Sequence, residues 1–477
     1  MIWIGGNSAE LFVLAKISGG SIKNIYRTVY VCRGAIKWVC YQQEIACWFL
    51  FIRSEQMDKI LKISGVPVTQ LATQYGTPLY VYDENKLVEQ CQSYKQNFVH
   101  PGFTTEILYA SKAFSCVGML HLIKEQGLCA DVVSIGELAT ALEAGLDPDR
   151  IYFHGNNKTL EEINFAIEHG VYRFFVDNVQ EAGTLKKCIE KTDQKLSVML
   201  RINPCIEAHT HEFIQTANID SKFGISIYSI DEIKTLIRSL QTHEQIVFEG
   251  LHAHIGSQIF EKEAFVKEVQ TMFSFISDLE RDGFYCPKLD LGGGFAIHYT
   301  DQDRPIPIES ICKTILDTCA QEQINKKTHV KTILIEPGRS IAGEAGSTLY
   351  TIGFSKQTPH KHYLFVDGGM SDNIRPCLYQ AQYDADVATQ MDSEKSRKVC
   401  IAGKCCESGD VLIPEKELQP FSQGDLLIIY STGAYGFSMF NNYNRNLRPA
   451  VVFVKDGKSR LIVRRESLED LLKGDIR

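Results

Sequence analysis

The stretch Leu108-Tyr109-Ala110-Ser111-Lys112 decides the fold, because it has the pattern of a buried strand that ends in a lysine. Residues 106–110 form the strand, and Lys112 follows where the chain leaves the sheet. In a parallel barrel, residues at the carboxyl end of a strand face the site that the barrel builds there. A surface lysine just past a plain strand is the alternative. Burial lowers the pKa of an ammonium group, so we expect Lys112 to act as a nucleophilic amine.

A regular alternation of strands and helices begins at this stretch. Helical patterns separate the strand candidates, and eight such units within about 250 residues are typical of a (β/α)₈ TIM-like barrel. A doubly wound sheet is the alternative, and the number of units disfavours it. The strand candidates are residues 106–110, 128–133, 151–154, 173–176, 196–202, 248–255, 288–291 and 332–336.

The pattern changes after residue 340, where strands follow one another without long helices. Glycine and Asp-Gly turns separate them, which indicates a C-terminal antiparallel β domain. We therefore assign residues 86–340 to the barrel and 341–477 to the β domain. Within the segment 57–85, the strand candidate at 79–82 is expected to join the β domain. The other candidates are residues 347–354, 363–366, 398–401, 425–430, 450–454 and 459–463.

The composition is that of a globular protein with more than one core. The 477 residues are 44% hydrophobic and 23% charged, and this length exceeds one ordinary core. The net charge of -8 gives no sign of a nucleic acid or membrane partner, and no apolar run could span a bilayer. The 15 cysteines are odd in number and irregularly spaced, which favours a reducing cytoplasm over a secreted disulfide framework.

Residues 1–56 differ from the rest of the chain. They hold all three tryptophans, and no helical or strand period runs through them cleanly. We expect them to be an appended leader, with Met57 as the true start. A mobile arm or a partner-binding segment is the alternative.

Polar side chains collect at the predicted carboxyl ends of the strands. Because these ends meet at one face of a barrel, we expect a shared site there. The glycines at 292–294 let backbone N–H groups approach an anion such as phosphate, and Arg339 offers a bidentate contact to a phosphate or carboxylate. The other polar residues at strand ends are Asp131, Ser134, His154, Asn156, Asp177, Arg201, Asn203, His252, His254, Ser257 and Glu336.

Two His-x-His pairs, His252/His254 and His209/His211, raise the question of a metal site. Zinc accepts imidazole ligands, but no cysteine or carboxylate has ligand spacing to either pair. We predict no metal, and a stacking or hydrogen-bonding role for a histidine of the sixth strand.

A lysine, a glycine turn, a histidine and an acid at one barrel face together indicate pyridoxal 5′-phosphate. The lysine would hold the cofactor covalently, the glycines its phosphate, and a carboxylate would keep its ring nitrogen protonated. Glu336 is the candidate for that carboxylate. Loops of the β domain add candidates whose alternatives are a solvated arginine, a buried thiol and a turn tyrosine. These candidates are Arg375, Tyr379, Cys406, Glu407 and Tyr435.

Six motifs make the sequence resemble the diaminopimelate decarboxylases, a family of alanine-racemase-like, fold-type III pyridoxal-phosphate enzymes. The resemblance runs from residue 57 to about residue 463, and residues 1–56 have no counterpart in it. The motifs are YASK at 109–112, HAHIGS at 252–257, LGGG at 291–294, EPGR at 336–339, CCESGD at 405–410 and GAYG at 433–436.

The resemblance implies a role for each candidate residue. The implied catalytic residues are Lys112, which carries the cofactor, His254, which stacks on its ring, and Cys406, which donates a proton after carbon dioxide leaves. The residues implied to hold the cofactor are Lys112, His254, Ser257, Gly292, Gly293, Gly294, Glu336, Pro337, Gly338, Arg339 and Tyr435. Those implied to hold the substrate are Arg339, Arg375, Tyr379, Glu407 and Tyr435.

The implied reaction is the decarboxylation of meso-2,6-diaminopimelate to L-lysine, the last step of lysine biosynthesis, in a cytoplasmic head-to-tail homodimer. The partner chain would supply the loop with Cys406 and Glu407. Two arginines suit a substrate with a distal carboxylate. Decarboxylases of ornithine, arginine or carboxynorspermidine are the alternative, as is a non-catalytic cofactor-binding homologue. Alanine racemase shares the barrel but uses a tyrosine as its second base.

Overall fold

The computed structural model describes residues 28–32, 35–39, 59–206 and 220–476. The chain divides into two units, residues 1–61 and 62–477. In the first unit, β1 (Thr28–Cys32) and β2 (Ala35–Val39) form an antiparallel hairpin. The predicted start at Met57 and the histidine pair His209/His211 lie outside the described residues.

The second unit begins with a short segment of strands and helices that precedes the barrel. A cap starts its longer helix, where the Asp83 side chain accepts hydrogen bonds from the backbone N–H groups of Asn85 and Lys86. Its elements are β3 (Lys62–Ile63), β4 (Val66–Pro67), α1 (Val68–Tyr75), β5 (Leu79–Asp83) and α2 (Glu84–Asn97).

Eight parallel strands close into a barrel, which confirms the predicted fold. They follow one another around the barrel in chain order, and the last pairs with the first. All eight predicted strands are present, with ends shifted by no more than three residues. The barrel strands are β6 (Thr104–Ala110), β7 (Cys129–Val132), β8 (Ile151–Phe153), β9 (Arg173–Val176), β10 (Leu196–Asn203), β12 (Ile246–His252), β13 (Lys288–Asp290) and β14 (Thr332–Ile335); β11 (Ile225–Ser226) pairs with β10.

Helices cover the barrel, and several of them start at a capping side chain just after a strand. Ser134, Thr159 and Asn178 each accept a hydrogen bond from the backbone N–H three residues on. Such caps end each strand sharply and fix the loops at the carboxyl face. The helices are α3 (Val117–Glu125), α4 (Ile135–Glu143), α5 (Leu160–Glu168), α6 (Val179–Ile189), α7 (Ile230–Gln241), α8 (Lys262–Arg281) and α9 (Ile308–Lys326).

The β domain follows the barrel, and β5 lies within its sheet, as predicted. The short helix α10 (Arg339–Ala342) ends the barrel, and the elements of the β domain are β15 (Gly346–Gln357), β16 (His362–Val366), α11 (Arg375–Tyr379), β17 (Ala385–Val387), β18 (Arg397–Ala402), β19 (Val411–Leu418), β20 (Leu426–Ile429), β21 (Ala450–Lys455), β22 (Lys458–Val463) and α12 (Leu468–Leu472). The main strand order of its sheet is β19-β18-β16-β15-β5-β21-β22.

Three features of this domain differ from the prediction. The pairs β5/β21 and β16/β18 are parallel, so the sheet is mixed rather than purely antiparallel. Two strands, β17 and β19, were not predicted. Arg375 and Tyr379, placed on a loop by the sequence, lie in the short helix α11.

A loop of the β domain is tethered to the turn that carries Lys112. The carbonyl oxygen of Ala113 accepts hydrogen bonds from Tyr435 N–H at 2.8 Å and from the Ser438 hydroxyl at 3.1 Å. The Tyr82 ring from β5 stacks on Phe114 with 4.3 Å between centroids. The end of the first barrel strand is therefore fixed against the β domain. Within the described part of the chain, no helix is both long and apolar enough to cross a membrane.

Candidate active site

A cavity of about 480 Å³ opens at the carboxyl face of the barrel. It brings together most of the side chains that the sequence singled out, from both parts of the second unit. The barrel residues include Lys112, His154, Arg201, His252, His254, Ser257, Gly294, Glu336, Gly338 and Arg339, and the β domain contributes Arg375, Tyr379, Tyr435 and Met439.

Lys112 lies on a single 3₁₀ turn, residues 111–113, directly after β6, as the sequence indicated. Burial alone would lower the pKa of its amine, but the carboxylates of Asp131 and Glu336 and the phenol of Tyr435 outweigh burial and raise it. The predicted lowered pKa is therefore wrong. Lys112 is held as an ammonium, and it must lose a proton before it can attack a carbonyl group.

Glu336 lies at the end of β14, between two histidines. His154 Nε2 approaches its Oε1 to 2.6 Å, off the direction of a well-formed hydrogen bond, and His252 Nε2 lies 3.5 Å from its Oε2. Burial would raise the pKa of Glu336, but the two imidazoles lower it well below its usual value. Burial lowers the pKa of His154 to about 3 despite the carboxylate. The group is thus a buried carboxylate facing neutral imidazoles.

The same three side chains come within the spacing of a metal triad, since their ligand atoms lie within 4.8 Å of one another. Nitrogen ligands on tetrahedral zinc are about 3.3 Å apart, given bonds of about 2.05 Å. The 2.6 Å between His154 Nε2 and Glu336 Oε1 is too short for two ligands of one ion. Direct contact between acid and imidazole accounts for this arrangement.

The glycines at 292–294 form a turn in which no side chain fits. A Cβ on Gly293 would lie 2.2 Å from the carbonyl oxygen of Glu336, and one on Gly294 would lie 2.5 Å from that of Gly256. Gly294 also has a φ of +101°, which side-chain-bearing residues rarely adopt. The backbone here is packed closely against the next strand end. The N–H groups of Gly292 and Gly293 already donate to the side chains of Asp290 and His254, so Gly294, which lines the cavity, is the glycine of this turn that can offer its N–H to a phosphate.

Replacing Gly293 with alanine is expected to weaken cofactor binding at least ten-fold and to destabilise the fold by about 1–3 kcal/mol, because the added methyl group displaces the backbone of Glu336. Titration of the apoenzyme with cofactor and a thermal melt measure the two effects. Gly183→Ala is the matched control, since its Cβ would meet nothing within 4 Å. Equal behaviour of the two variants would contradict a role for close packing at Gly293.

His254 lies in the loop after β12 rather than on the strand, because pairing with β13 ends at His252. The sequence analysis placed His254 within the strand 248–255, so that prediction is wrong for His254, although both histidines line the cavity. His254 Nδ1 accepts a hydrogen bond from Gly293 N–H at 3.2 Å. Burial, together with the cations Lys112 and Arg201, keeps the pKa of His254 well below its usual value. A neutral ring is thus fixed beside the glycine turn.

Two arginines share one phenol at the cavity wall. Arg339 donates to Ser257 Oγ at 2.8 Å and to the hydroxyl of Tyr299. Arg375 donates to the same hydroxyl at 3.0 Å and to that of Tyr383. The guanidinium of Arg339 also lies 4.7 Å from the ring centroid of Tyr435. Sequence reasoning did not single out Tyr299 or Tyr383.

Cys406 and Glu407 do not reach the cavity of their own chain. Both are exposed on the loop before β19, and neither lines the cavity. The backbone N–H of Cys406 donates to Asn444 Oδ1 at 2.6 Å, which holds this loop against a neighbouring one. A single chain therefore brings together the barrel candidates with Arg375, Tyr379 and Tyr435, but not these two residues.

The cavity fits pyridoxal phosphate by its own chemistry. The buried Oε1 of Glu336 lacks a well-formed hydrogen bond to any described residue, as a carboxylate reserved for a ring N–H would. Gly294 of the glycine turn can offer its N–H to a phosphate, and Ser257 lines the same cavity. Lys112 extends from the first strand into the same cavity. Pro337 and Gly338 hold the backbone: the Pro337 carbonyl accepts from Ala110 N–H at 3.2 Å.

Comparison with protein families agrees with this chemistry. Residues 84–343 match the family described as pyridoxal-dependent decarboxylase, pyridoxal binding domain. The chain is 46% identical over 418 residues to the diaminopimelate decarboxylase of Bacillus subtilis, covering 87% of this chain and 95% of that protein. It is 45% identical to the same enzyme of Staphylococcus aureus, over 87% of this chain and 97% of the relative.

Solved structures of similar fold point to the same group of proteins. Diaminopimelate decarboxylase of Helicobacter pylori, complexed with L-lysine, superposes with a TM-score of 0.77 at 31% identity, over 85% of this chain and 98% of the other. The M. jannaschii enzyme, also in complex with L-lysine, gives a TM-score of 0.81 at 31% identity, over 88% and 98%.

Proposed function

Since the chain belongs to the diaminopimelate decarboxylase family, we propose that its cavity, completed by a second copy of the chain, converts meso-2,6-diaminopimelate to L-lysine and carbon dioxide. The enzyme is a pyridoxal-phosphate-dependent carboxy-lyase of lysine biosynthesis. We further propose the roles of its residues that follow, a homodimer and a cytoplasmic location.

The barrel residues hold the cofactor. Lys112 Nζ attaches it covalently, the turn at 292–294 and Ser257 bind its phosphate, and His254 packs on its ring. Glu336 holds a proton at the ring nitrogen, for which its low pKa suits it, because it stays ionised inside the cavity. When bound, pyridoxal phosphate accepts the electron pair that is released as the carboxyl carbon leaves.

The two arginines, with Tyr379, bind the end of the substrate that does not react. Diaminopimelate carries an amino-acid group at each end, so the distal end presents a carboxylate and an ammonium. Arg339 and Arg375 are each only 6% exposed and provide the cationic side of the cavity. Glu407 provides the anionic side for the distal ammonium. Tyr435, whose ring lies over Arg339, contacts both cofactor and substrate.

Cys406 supplies the proton that replaces carbon dioxide on the substrate carbon, and it does so in the neighbouring subunit. Because Cys406 and Glu407 are exposed and lie off their own chain's cavity, a partner chain in head-to-tail arrangement is needed to bring them to it. Each active site then combines a barrel from one chain with a loop from the other. This explains why a catalytic thiol is located outside the barrel.

The observation that carries the proposal is the pair of buried guanidiniums at the cavity wall. A decarboxylase for ornithine or another diamine precursor needs an acid for a distal ammonium, not two cations for a distal carboxylate. A non-catalytic homologue would be free to lose Lys112 or Cys406, and both are present.

The test is an assay of carbon dioxide release and lysine formation from meso-diaminopimelate with added pyridoxal phosphate. Ornithine, arginine and carboxynorspermidine are assayed in parallel. Turnover of diaminopimelate alone is the expected result. Turnover of only another substrate would keep the cofactor and overturn the assignment of the distal-end residues.

Replacing Arg375 with alanine is expected to lower kcat/KM for diaminopimelate about 30- to 100-fold, mainly through a higher KM. The variant removes a charge-assisted contact with the distal carboxylate and leaves the cofactor site intact. Steady-state kinetics measures the change. Arg397→Ala, which removes an arginine stacked on Phe421 elsewhere in the same domain, is the control. Unchanged kinetics of Arg375→Ala would remove that residue from the substrate site.

A further inference from the structure

We propose that Tyr299 is a positioning residue, which sets the spacing between the guanidiniums of Arg339 and Arg375 and so determines the preference for a distal carboxylate. The proposal rests on the function proposed above and adds to it a residue that no motif of the sequence contains. Tyr299 lies in the loop after β13, five residues beyond the glycine turn.

One oxygen atom joins the two arginines. The hydroxyl of Tyr299 accepts a hydrogen bond from Nη1 of Arg339 and another from Nη1 of Arg375. Arg339 belongs to α10 at the edge of the barrel and Arg375 to α11 in the β domain. Tyr299 therefore links the guanidiniums of two separate structural elements, and it is itself only 8% exposed.

A second phenol fixes Arg375 from the other side. Nη1 of Arg375 also donates a hydrogen bond to the hydroxyl of Tyr383. The rings of Tyr383 and Tyr299 pack edge to face, with 5.2 Å between their centroids. The guanidinium carbon of Arg375 lies 4.9 Å from the Tyr299 ring centroid. The arginine side chain thus has little rotational freedom, which lowers the entropic cost of binding an anion.

The charges explain why such a link is needed. Among the described residues, Arg339 and Arg375 donate to the hydroxyls of Ser257, Tyr299 and Tyr383, and none of these partners is a carboxylate. Two buried cations repel each other, and phenol oxygens offset only part of that cost. Nε of Arg339 is buried without a hydrogen-bond partner among the described residues. The pair is held open for an anion, and in the proposed function this anion is the distal carboxylate.

The electrostatics of Tyr299 agree with this geometry. Burial would raise the pKa of its phenol, but Arg339 and Arg375 together lower it below the usual value. The two guanidiniums favour negative charge on the phenol oxygen, as expected for an oxygen that accepts a hydrogen bond from each of them.

The chemistry of the product offers a selective probe. The reacting end of diaminopimelate loses its carboxylate, so L-lysine keeps only the distal one. Cadaverine is lysine without any carboxylate. If Tyr299 acts through the arginines, its hydroxyl matters for lysine and not for cadaverine.

The experiment compares Tyr299→Phe with the wild-type holoenzyme. The KM for diaminopimelate and the dissociation constant of L-lysine are each expected to rise about ten-fold or more, with kcat within about two-fold and cadaverine affinity unchanged. Both affinities are read from the visible absorbance of the bound cofactor, so they do not depend on turnover. Equal shifts for lysine and cadaverine, or no shift for either, would overturn the proposal.

Two further variants separate this role from general packing. Tyr152→Phe removes another phenol that accepts from an arginine, Arg173, and is not part of the cavity wall; all constants should stay near wild type. Tyr383→Phe should raise the lysine constant less than Tyr299→Phe does, and it carries the test should Tyr299→Phe not fold. Failure of wild type to form lysine would instead refute the proposed function.

Discussion

Replacing Lys112 with alanine is expected to abolish lysine formation, with activity at least about 10⁴-fold below wild type. Among the described residues, Lys222 is the other lysine that lines the cavity, and it lies beside Phe223 on a different loop. The visible absorbance of the protein-linked cofactor should disappear with the activity. Absorbance spectra and a discontinuous lysine assay measure both losses.

Borohydride reduction provides the control for this variant. Reduction should fix the cofactor permanently to wild-type protein, and mass spectrometry should place it on the peptide with Lys112. A variant with the same absorbance and a reducible link at another residue would contradict the assignment. Lys158→Met is not a useful control, because Lys158 forms a buried ion pair with Glu181 at 2.6 Å. Lys313→Met, at an exposed position, is the control, and it should leave the activity and the cofactor absorbance unchanged.

Replacing Cys406 with alanine is expected to lower kcat by about 10²–10³-fold while the cofactor absorbance stays unchanged. A general acid in proton transfer contributes about 10²–10⁴-fold, and a methyl group cannot replace the thiol. Because Cys406 lies outside the cavity of its own chain, the variant should still bind cofactor normally. Single-turnover kinetics shows whether the loss is in the chemical step.

Cys405→Ala is the matched control for this prediction. The neighbouring thiol is buried, accepts from Asn446 at 3.4 Å and has no assigned part in catalysis. Its removal should change kcat by less than about three-fold. If the two cysteine variants lost activity equally, the loss would belong to the loop as a whole and not to the Cys406 thiol.

The barrel was predictable from the sequence because its signal is local. Apolar runs of strand length alternate with helical patterns, and capping residues such as Ser134 and Asn178 mark where helices begin. Lys112 and Glu336 were found because each lies at the carboxyl end of such a run. The strands β17 and β19 escaped, since the first has three residues and the second contains a proline and three charged residues.

The arginine–tyrosine cluster was not predictable in the same way. Tyr299 lies 40 residues from Arg339 and 76 from Arg375, and nothing in its local sequence distinguishes it from a core tyrosine. Only the closure of the barrel against the β domain brings the three together. The glycine turn at 292–294, which precedes Tyr299, was the one nearby feature that pointed to the active site.

The pKa of Lys112 failed as a prediction for a related reason. Sequence gives the expectation of burial, which lowers the pKa of an amine, but not the positions of neighbouring charges. Asp131, on the next strand, and Glu336, on the last, both face the amine and reverse the sign of the shift. Such sums over neighbours require the three-dimensional arrangement.

The most direct test of the composite active site is to mix the two inactive variants, Lys112→Ala and Cys406→Ala, under conditions in which subunits exchange. In a mixed head-to-tail dimer, one site takes both substitutions and the other takes neither. Random pairing of equal amounts should therefore restore about a quarter of wild-type lysine formation from meso-diaminopimelate. If activity does not return although mixed dimers form, Lys112 and Cys406 do not meet across a subunit interface, and the proposed site is wrong.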